Sequence, residues 1–167
     1  VAQMAGMSMP EDGYDDTLAK RRMRLLAANR EAARFFNTCL MDEKNRPALD
    51  YFLRRALTTA TIRHFGLGYA PDSWHALTEH LRSKGFTYEE MVLANLVNVI
   101  AFGGRVMDDS KPKYINTSDT PVYKKSNGVF ALNFAKNANE NKLLLVEGYM
   151  DVIALHQAGF TNAIACL

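Results

Sequence analysis

The stretch Lys142-Leu143-Leu144-Leu145-Val146-Glu147-Gly148-Tyr149-Met150-Asp151-Val152-Ile153-Ala154-Leu155-His156-Gln157-Ala158-Gly159, with Asn162-Ala163-Ile164-Ala165-Cys166-Leu167 behind it, decides how this chain folds. Its first apolar run is bounded by charge and reads as a strand ending at Glu147-Gly148. Tyr149 to Ala158 has helical spacing, and Gly159 closes the helix. Asn162 to Leu167 begins a second apolar strand. Strand, helix and strand in this order make the right-handed crossover of a parallel sheet. Such sheets place ligands at the carboxyl ends of their strands. Glu147 stands at that position, with Asp151 in the first helical turn. A carboxylate there faces solvent and a cation, or exchanges a proton with a reacting hydroxyl. Capping of the following helix is the plainer alternative. Two-metal phosphoryl transfer requires several clustered carboxylates, and only Glu147 and Asp151 are visible.

Upstream the chain divides into three parts. Residues 1–16 are rich in Met, Gly, Pro and Asp, show no apolar period and read as a linker or entry arm, which implies that something precedes them. Residues 17–96 read as helical. Leu25, Ala28, Ala32, Phe35, Phe36, Cys39 and Leu40 recur every three to four positions in one long amphipathic helix from Thr17 to about Lys44. Asn45-Arg46-Pro47 supplies a cap and a first-turn proline for a second helix, with Leu49, Phe52, Leu53 and Ala56 on one face. A third helix, Thr59 to Phe65, is stopped by Gly66-Leu67-Gly68-Tyr69-Ala70-Pro71. A fourth runs from Ser73 to Lys84 with Trp74, Leu77 and Leu81 inward, and Thr87-Tyr88-Glu89-Glu90 has the capping-box pattern.

At Leu96-Val97 the helical pattern runs into the strand-like Val97-Asn98-Val99-Ile100-Ala101-Phe102 without Gly, Pro or a turn cluster. Either the helix breaks at Asn95, or residues that belong between the two elements are absent; absence is the preferred reading. Residues 97–140 then form a mixed region with strands near 97–103 and 113–116 and a helix from about Val129 to Asn137. Between Ala101 and Lys142 seven Lys and Arg face four acids, a local excess that favours an anionic ligand, although a solvated loop face gives the same count. Residues 141–167 hold the crossover.

The chain is 167 residues long, 48% hydrophobic and 23% charged, a globular composition that argues against disorder. There is no run of about 18 apolar residues and no secretory pattern, so no membrane partner is expected and the cytoplasm is the expected location. The net charge of +2 says little about nucleic acid, because binding depends on clustered rather than average charge. Cys39 and Cys166 lack metal-ligand spacing and are expected to be buried. His64, His75, His80 and His156 show no ligand spacing. The Lys20–Arg24 run is read as a solvated helix face, with a DNA contact as the sharper alternative.

Leu143 through Ile153 closely resembles the first motif of the Toprim fold shared by DnaG-type primases, topoisomerases and some nucleases, and Tyr149-Met150-Asp151 resembles the primase version. Phe102-Gly103-Gly104-Arg105-Val106 with Pro112-Lys113-Tyr114-Ile115-Asn116-Thr117-Ser118-Asp119-Thr120 is similar to the basic motif that precedes Toprim in bacterial primases. Phe65 to Pro71 is similar to a segment of the same family's helical subdomain. The resemblance implies an α+β and α/β fold, a helical and mixed N-terminal subdomain followed by the first βαβ portion of Toprim, truncated.

It further implies a nucleotidyltransferase that makes short RNA primers on single-stranded DNA from ribonucleoside triphosphates, with Mg²⁺ or Mn²⁺ as cofactor. Glu147 would then do acid–base work or contact metal, with Asp151 a weaker metal candidate. Arg105, Lys113 and Lys125 would hold template or nucleotide phosphate, and Tyr114 would stack on a base or serve structure. The family's Asp-x-Asp motif, its zinc-binding domain and its helicase-binding C-terminal domain are not in these residues, so the fragment alone is expected to be inactive. A non-catalytic single-strand-binding module, or another Toprim enzyme, are the competing readings.

Overall fold

A computed structural model describes residues 13–73, 75–97, 104–105, 114–115, 119–124, 126, 128–138 and 140–166. Helix α1, Gly13–Met41, organises the helical half, and its positions Leu25, Ala28, Ala32 and Leu40 are buried at the spacing that the sequence predicts. Two cores share this helix. Leu25, Ala28 and Ala32 pack with Leu77 and Leu81 of α4 (Ala76–Ser83), Met91 of α5 (Tyr88–Leu93), and Phe86, Ala94 and Leu96. One helical stretch later, Leu40 packs with Ala48 of α2 (Arg46–Arg54), Leu57, Ile62 of α3 (Thr59–His64), and Ile153 from the far end of the chain.

Local chemistry explains most of these boundaries. Thr87 caps α5 in a complete capping box with Glu90, so two end amides are satisfied within one turn. Asn45, expected to cap α2, makes no such bond; its side-chain amide donates instead to the Cys39 carbonyl at 2.8 Å. The face expected for α2 also changes. The helix stops at Arg54, Ala56 turns left-handed at φ 59°, and the turn delivers Leu57 to the core while Leu53 stays exposed. The glycine-rich loop after α3 is stitched to α1: Tyr69 N donates to the Phe36 carbonyl at 2.9 Å and Asn37 Nδ2 donates to the Leu67 carbonyl at 2.8 Å. A Cβ on Gly68 would sit 2.6 Å from Phe36 Cβ, so the approach itself demands glycine.

Strands β1 (Gly104–Arg105) and β2 (Tyr114–Ile115) pair antiparallel with Arg105 opposite Tyr114. Strand β2 falls within the strand expected at 113–116, whereas β1 begins just past the strand expected at 97–103, of which Val97 forms a bend; the other residues of both expected strands lie outside the described residues. The second sheet has the order β3–β5–β4, with β3 at Val129–Phe130, β4 at Leu144–Val146 and β5 at Ala163–Cys166. Strand β4 runs parallel to β5 and is joined to it by α7, Tyr149–Gln157, which is the crossover read from the sequence. The helix expected from Val129 to Asn137 is instead the antiparallel strand β3, a left-handed Ala131 and the short helix α6, Leu132–Ala135. A brief apolar run is ambiguous by period, and the free side of β5 supplies the backbone partners that decide it.

Ala163 and Ala165 of β5 are fully buried with Val152 and Ala131, their small side chains letting the helices approach the sheet. Cys39 is only half-buried, though burial raises its thiol pKa, and Cys166, the last residue of β5, is exposed; both depart from the burial expected. Among the described residues no helix is long and apolar enough to cross a membrane.

Candidate functional site

The ladder of β4 ends at Val146, which pairs with Ala165, and the chain leaves the sheet at Glu147. Gly148 is the extended cap of α7, and the helix's first bond runs from Val152 N to the Gly148 carbonyl at 3.2 Å. Glu147 is exposed at the carboxyl edge, and so is Asp151 one turn into the helix. The two belong to one corner: Asp151 Oδ2 would lie 3.0 Å from a Cβ built on Gly148, so its carboxylate is folded back over the turn that follows Glu147. The third helical position also suits an anion, because the start of α7 carries the positive end of the helix dipole.

The corner is braced from behind. Tyr149 meets Phe130 of β3 edge to face at 4.9 Å, and Val152 and Ile153, the two residues after Asp151, are buried in different cores. His156 donates from Nε2 to the Ala163 carbonyl at 2.9 Å, tying α7 to the start of β5. Among the described residues no group of three or more His, Cys, Asp and Glu could hold a metal ion.

The other sequence candidates are placed unequally. Arg105 and Tyr114 face each other across the β1–β2 ladder as backbone partners. Lys113 and Lys125 lie outside the described residues. The basic start of α1 is largely engaged within the chain: Lys20 bonds Asp16 at 2.6 Å, Arg21 bonds Glu89 at 3.0 Å, and Arg24 grips Glu90 through two bonds at 2.7 and 2.8 Å. His80 is paired with Glu31 at 2.9 Å. Sequence reasoning gave Gln157 no role, yet its side chain ties α7 to the helical half; its partners are about a hundred positions away, and no local pattern signals them.

The family profile described as DNA primase catalytic core, N-terminal domain, matches residues 35–99 and 95–136, and the Toprim domain profile matches residues 141–167. The DNA primase of Clostridium acetobutylicum is 40% identical over 185 aligned positions that take in 94% of this chain and 31% of that protein. This chain therefore spans about a third of the length of that curated relative. Since 94% of 167 residues is about 157, about 28 of those 185 positions face gaps in this chain.

Among solved structures, the RNA polymerase domain of Mycobacterium tuberculosis primase DnaG, in complex with a double-stranded DNA oligomer with a 6-nucleotide overhang, superposes with a TM-score of 0.75. It is 33% identical and covers 86% of this chain and 54% of its own. A DnaG primase catalytic domain bound to ssDNA gives a TM-score of 0.76 at 28% identity, covering 89% of this chain and 55% of its own. Two profiles in family order, a helical unit feeding a mixed sheet, and an acidic corner at the end of a parallel strand agree, and the chain belongs to the DnaG-type DNA primase catalytic-core family.

Proposed function

We propose that this chain is part of a primase, a nucleotidyltransferase that copies a single-stranded DNA template into short RNA primers from ribonucleoside triphosphates. The observation that carries the reading is Glu147, exposed where β4 meets α7, inside the Toprim match that follows the primase-core match along the chain. In this reading Glu147 does acid–base work or contacts a divalent ion during nucleotide addition. Glu147 and Asp151 offer hard carboxylate oxygens, the donors that Mg²⁺ and Mn²⁺ take, and Mg²⁺ is commonly held through one or two carboxylates with retained waters. Such an ion would stabilise charge on phosphate oxygens. Arg105, Lys113 and Lys125 would hold phosphate, positioning the template without reading its sequence, and Tyr114 would stack on a base.

The junction at Leu96-Val97 bears on this reading. The two pieces of the primase-core match meet at residues 95–99, and we read the positions that the Clostridium protein has in excess as lying there. A second reading, a non-catalytic single-strand-binding module in which Glu147 only organises a helix, is favoured by one observation: Glu147 stands immediately before Gly148, the cap of α7.

One experiment separates the two. In the whole enzyme, Glu147→Gln is expected to leave single-stranded DNA affinity unchanged and to abolish dinucleotide formation, read by gel-resolved products. Retained synthesis would remove the catalytic assignment. In parallel, Lys113→Ala is expected to weaken DNA binding across template sequences and to lower the salt dependence of the binding constant by about one unit of slope.

A further inference from the structure

Helix α3 opens with Thr58 as its cap; the Thr58 hydroxyl accepts from Thr61 N at 3.1 Å. A capping box has a second half, in which a Glu or Gln at the third helical position reaches back to the cap residue's own amide. In α5 that half is supplied locally, since Thr87 N donates to Glu90 at 2.8 Å. In α3 the third position is Thr61, whose side chain is too short for the task. Its place is taken from across the molecule: Gln157, the last residue of α7, accepts from Thr58 N at 2.8 Å through Oε1.

The same Oε1 accepts from Thr61 Oγ1 at 2.6 Å, and Nε2 donates to the Ala56 carbonyl at 2.7 Å. Both ends of the amide are thus used. A primary amide offers acceptor and donor at opposite corners, so this set of partners fixes its orientation as well as its position. Ala56 is the left-handed residue that turns α2 into α3, so the donor end secures a backbone conformation disfavoured for alanine. Four residues before Gln157 on the same face of α7, Ile153 is buried against Leu40, Ala48, Leu57 and Ile62.

We propose that Gln157 is a positioning residue: it completes the capping box of α3 in trans and so fixes α7, with Glu147 at its entrance, against the helical half of the molecule. The positioning role rests on the catalytic reading of Glu147; the clamp itself does not. Helix α3 is fully capped only when α7 is docked, and α7 carries the acidic corner at its other end.

The test uses Gln157→Ala and Gln157→Glu in the whole enzyme, with amide hydrogen exchange, primer synthesis and single-stranded DNA binding measured side by side. In Gln157→Ala, exchange protection at the Thr58 amide is expected to fall about tenfold while that of the Met91 amide, in the other core, is unchanged. With it kcat for dinucleotide formation is expected to fall about tenfold, with KM for nucleotide and DNA affinity unchanged. Gln157→Glu keeps both acceptor bonds but sets a carboxylate oxygen against the Ala56 carbonyl in place of the donor, and is expected to restore Thr58 protection and part of kcat.

Unchanged Thr58 protection in Gln157→Ala, or a loss shared equally by Met91, overturns the clamp. Restored protection in Gln157→Glu without recovery of kcat, or a fall in DNA affinity that accounts for the lost rate, overturns the positioning role. A wild-type enzyme that makes no primer sinks the primase reading and the positioning role with it, whereas the exchange data still judge the clamp.

Discussion

Glu90 shows how much one side chain can do here. It closes the capping box of α5 on Thr87 and at the same time receives two of the three bonds of the Arg24 guanidinium, whose charged face also lies 4.6 Å from the centre of the Phe86 ring. The hydrogen bonds from Arg24 hold its carboxyl down to about 2 from an ordinary 4.5. Glu31 is lowered too, first through its bond to His80. A carboxylate depressed in the folded state contributes stability that is present above pH 4.5 and is lost as pH falls towards 2. The urea midpoint of the helical half is therefore expected to drop across that window. Glu90→Gln should flatten the drop and cost about 2 kcal/mol at neutral pH, read by circular dichroism. The sequence disclosed half of this arrangement. Thr87 and Glu90 lie three residues apart in a known pattern, whereas Arg24 joins from 66 positions away.

At the scale of elements, legibility followed the length of the periodic signal. Helix α1 was readable because its apolar period repeats for many turns, and α7 because two strands frame it. Strand β3 was not, since two residues carry no period and their pairing with β5 is settled by a partner more than thirty positions downstream. The left-handed Ala56 was equally hidden, as alanine there gives no turn signal. Gly68 marks the opposite case: the glycine-rich loop was read as a helix stop, but its reason is contact with α1. Gly68→Ala would place a methyl carbon against the Phe36 Cβ and carbonyl carbon, 2.6 and 2.7 Å away. It is expected to destabilise the chain by about 3 kcal/mol in chemical denaturation, whereas the exposed Gly85→Ala, strained only by its φ of 80°, should cost about 1 kcal/mol.

Across the whole molecule, the crossover helix α7 packs into both the helical and the sheet-bearing halves, beside ring contacts of His64 and Phe65 with Phe130 and Phe134. Ile153 buries itself among residues of α1, α2 and α3, while its neighbour Val152 belongs to the core under the sheet. Ile153→Ala is expected to cost about 3 kcal/mol and to split a single unfolding transition into two when far-ultraviolet and aromatic signals are compared. The acidic corner was legible because strand, glutamate, glycine and helix are contiguous; its docking was not, because Gln157 and Ile153 find their partners in the first half of the chain. Strand β4 has a described neighbour on one side only, and Leu143, Leu144 and Leu145 are 52%, 38% and 65% exposed. Such a border is adhesive: among the described residues its outer backbone faces no strand, and with its greasy side chains it can take up an extended segment of another copy of itself. Concentrated solutions of these 167 residues should consequently scatter light increasingly with time, and Leu145→Lys should keep them clear.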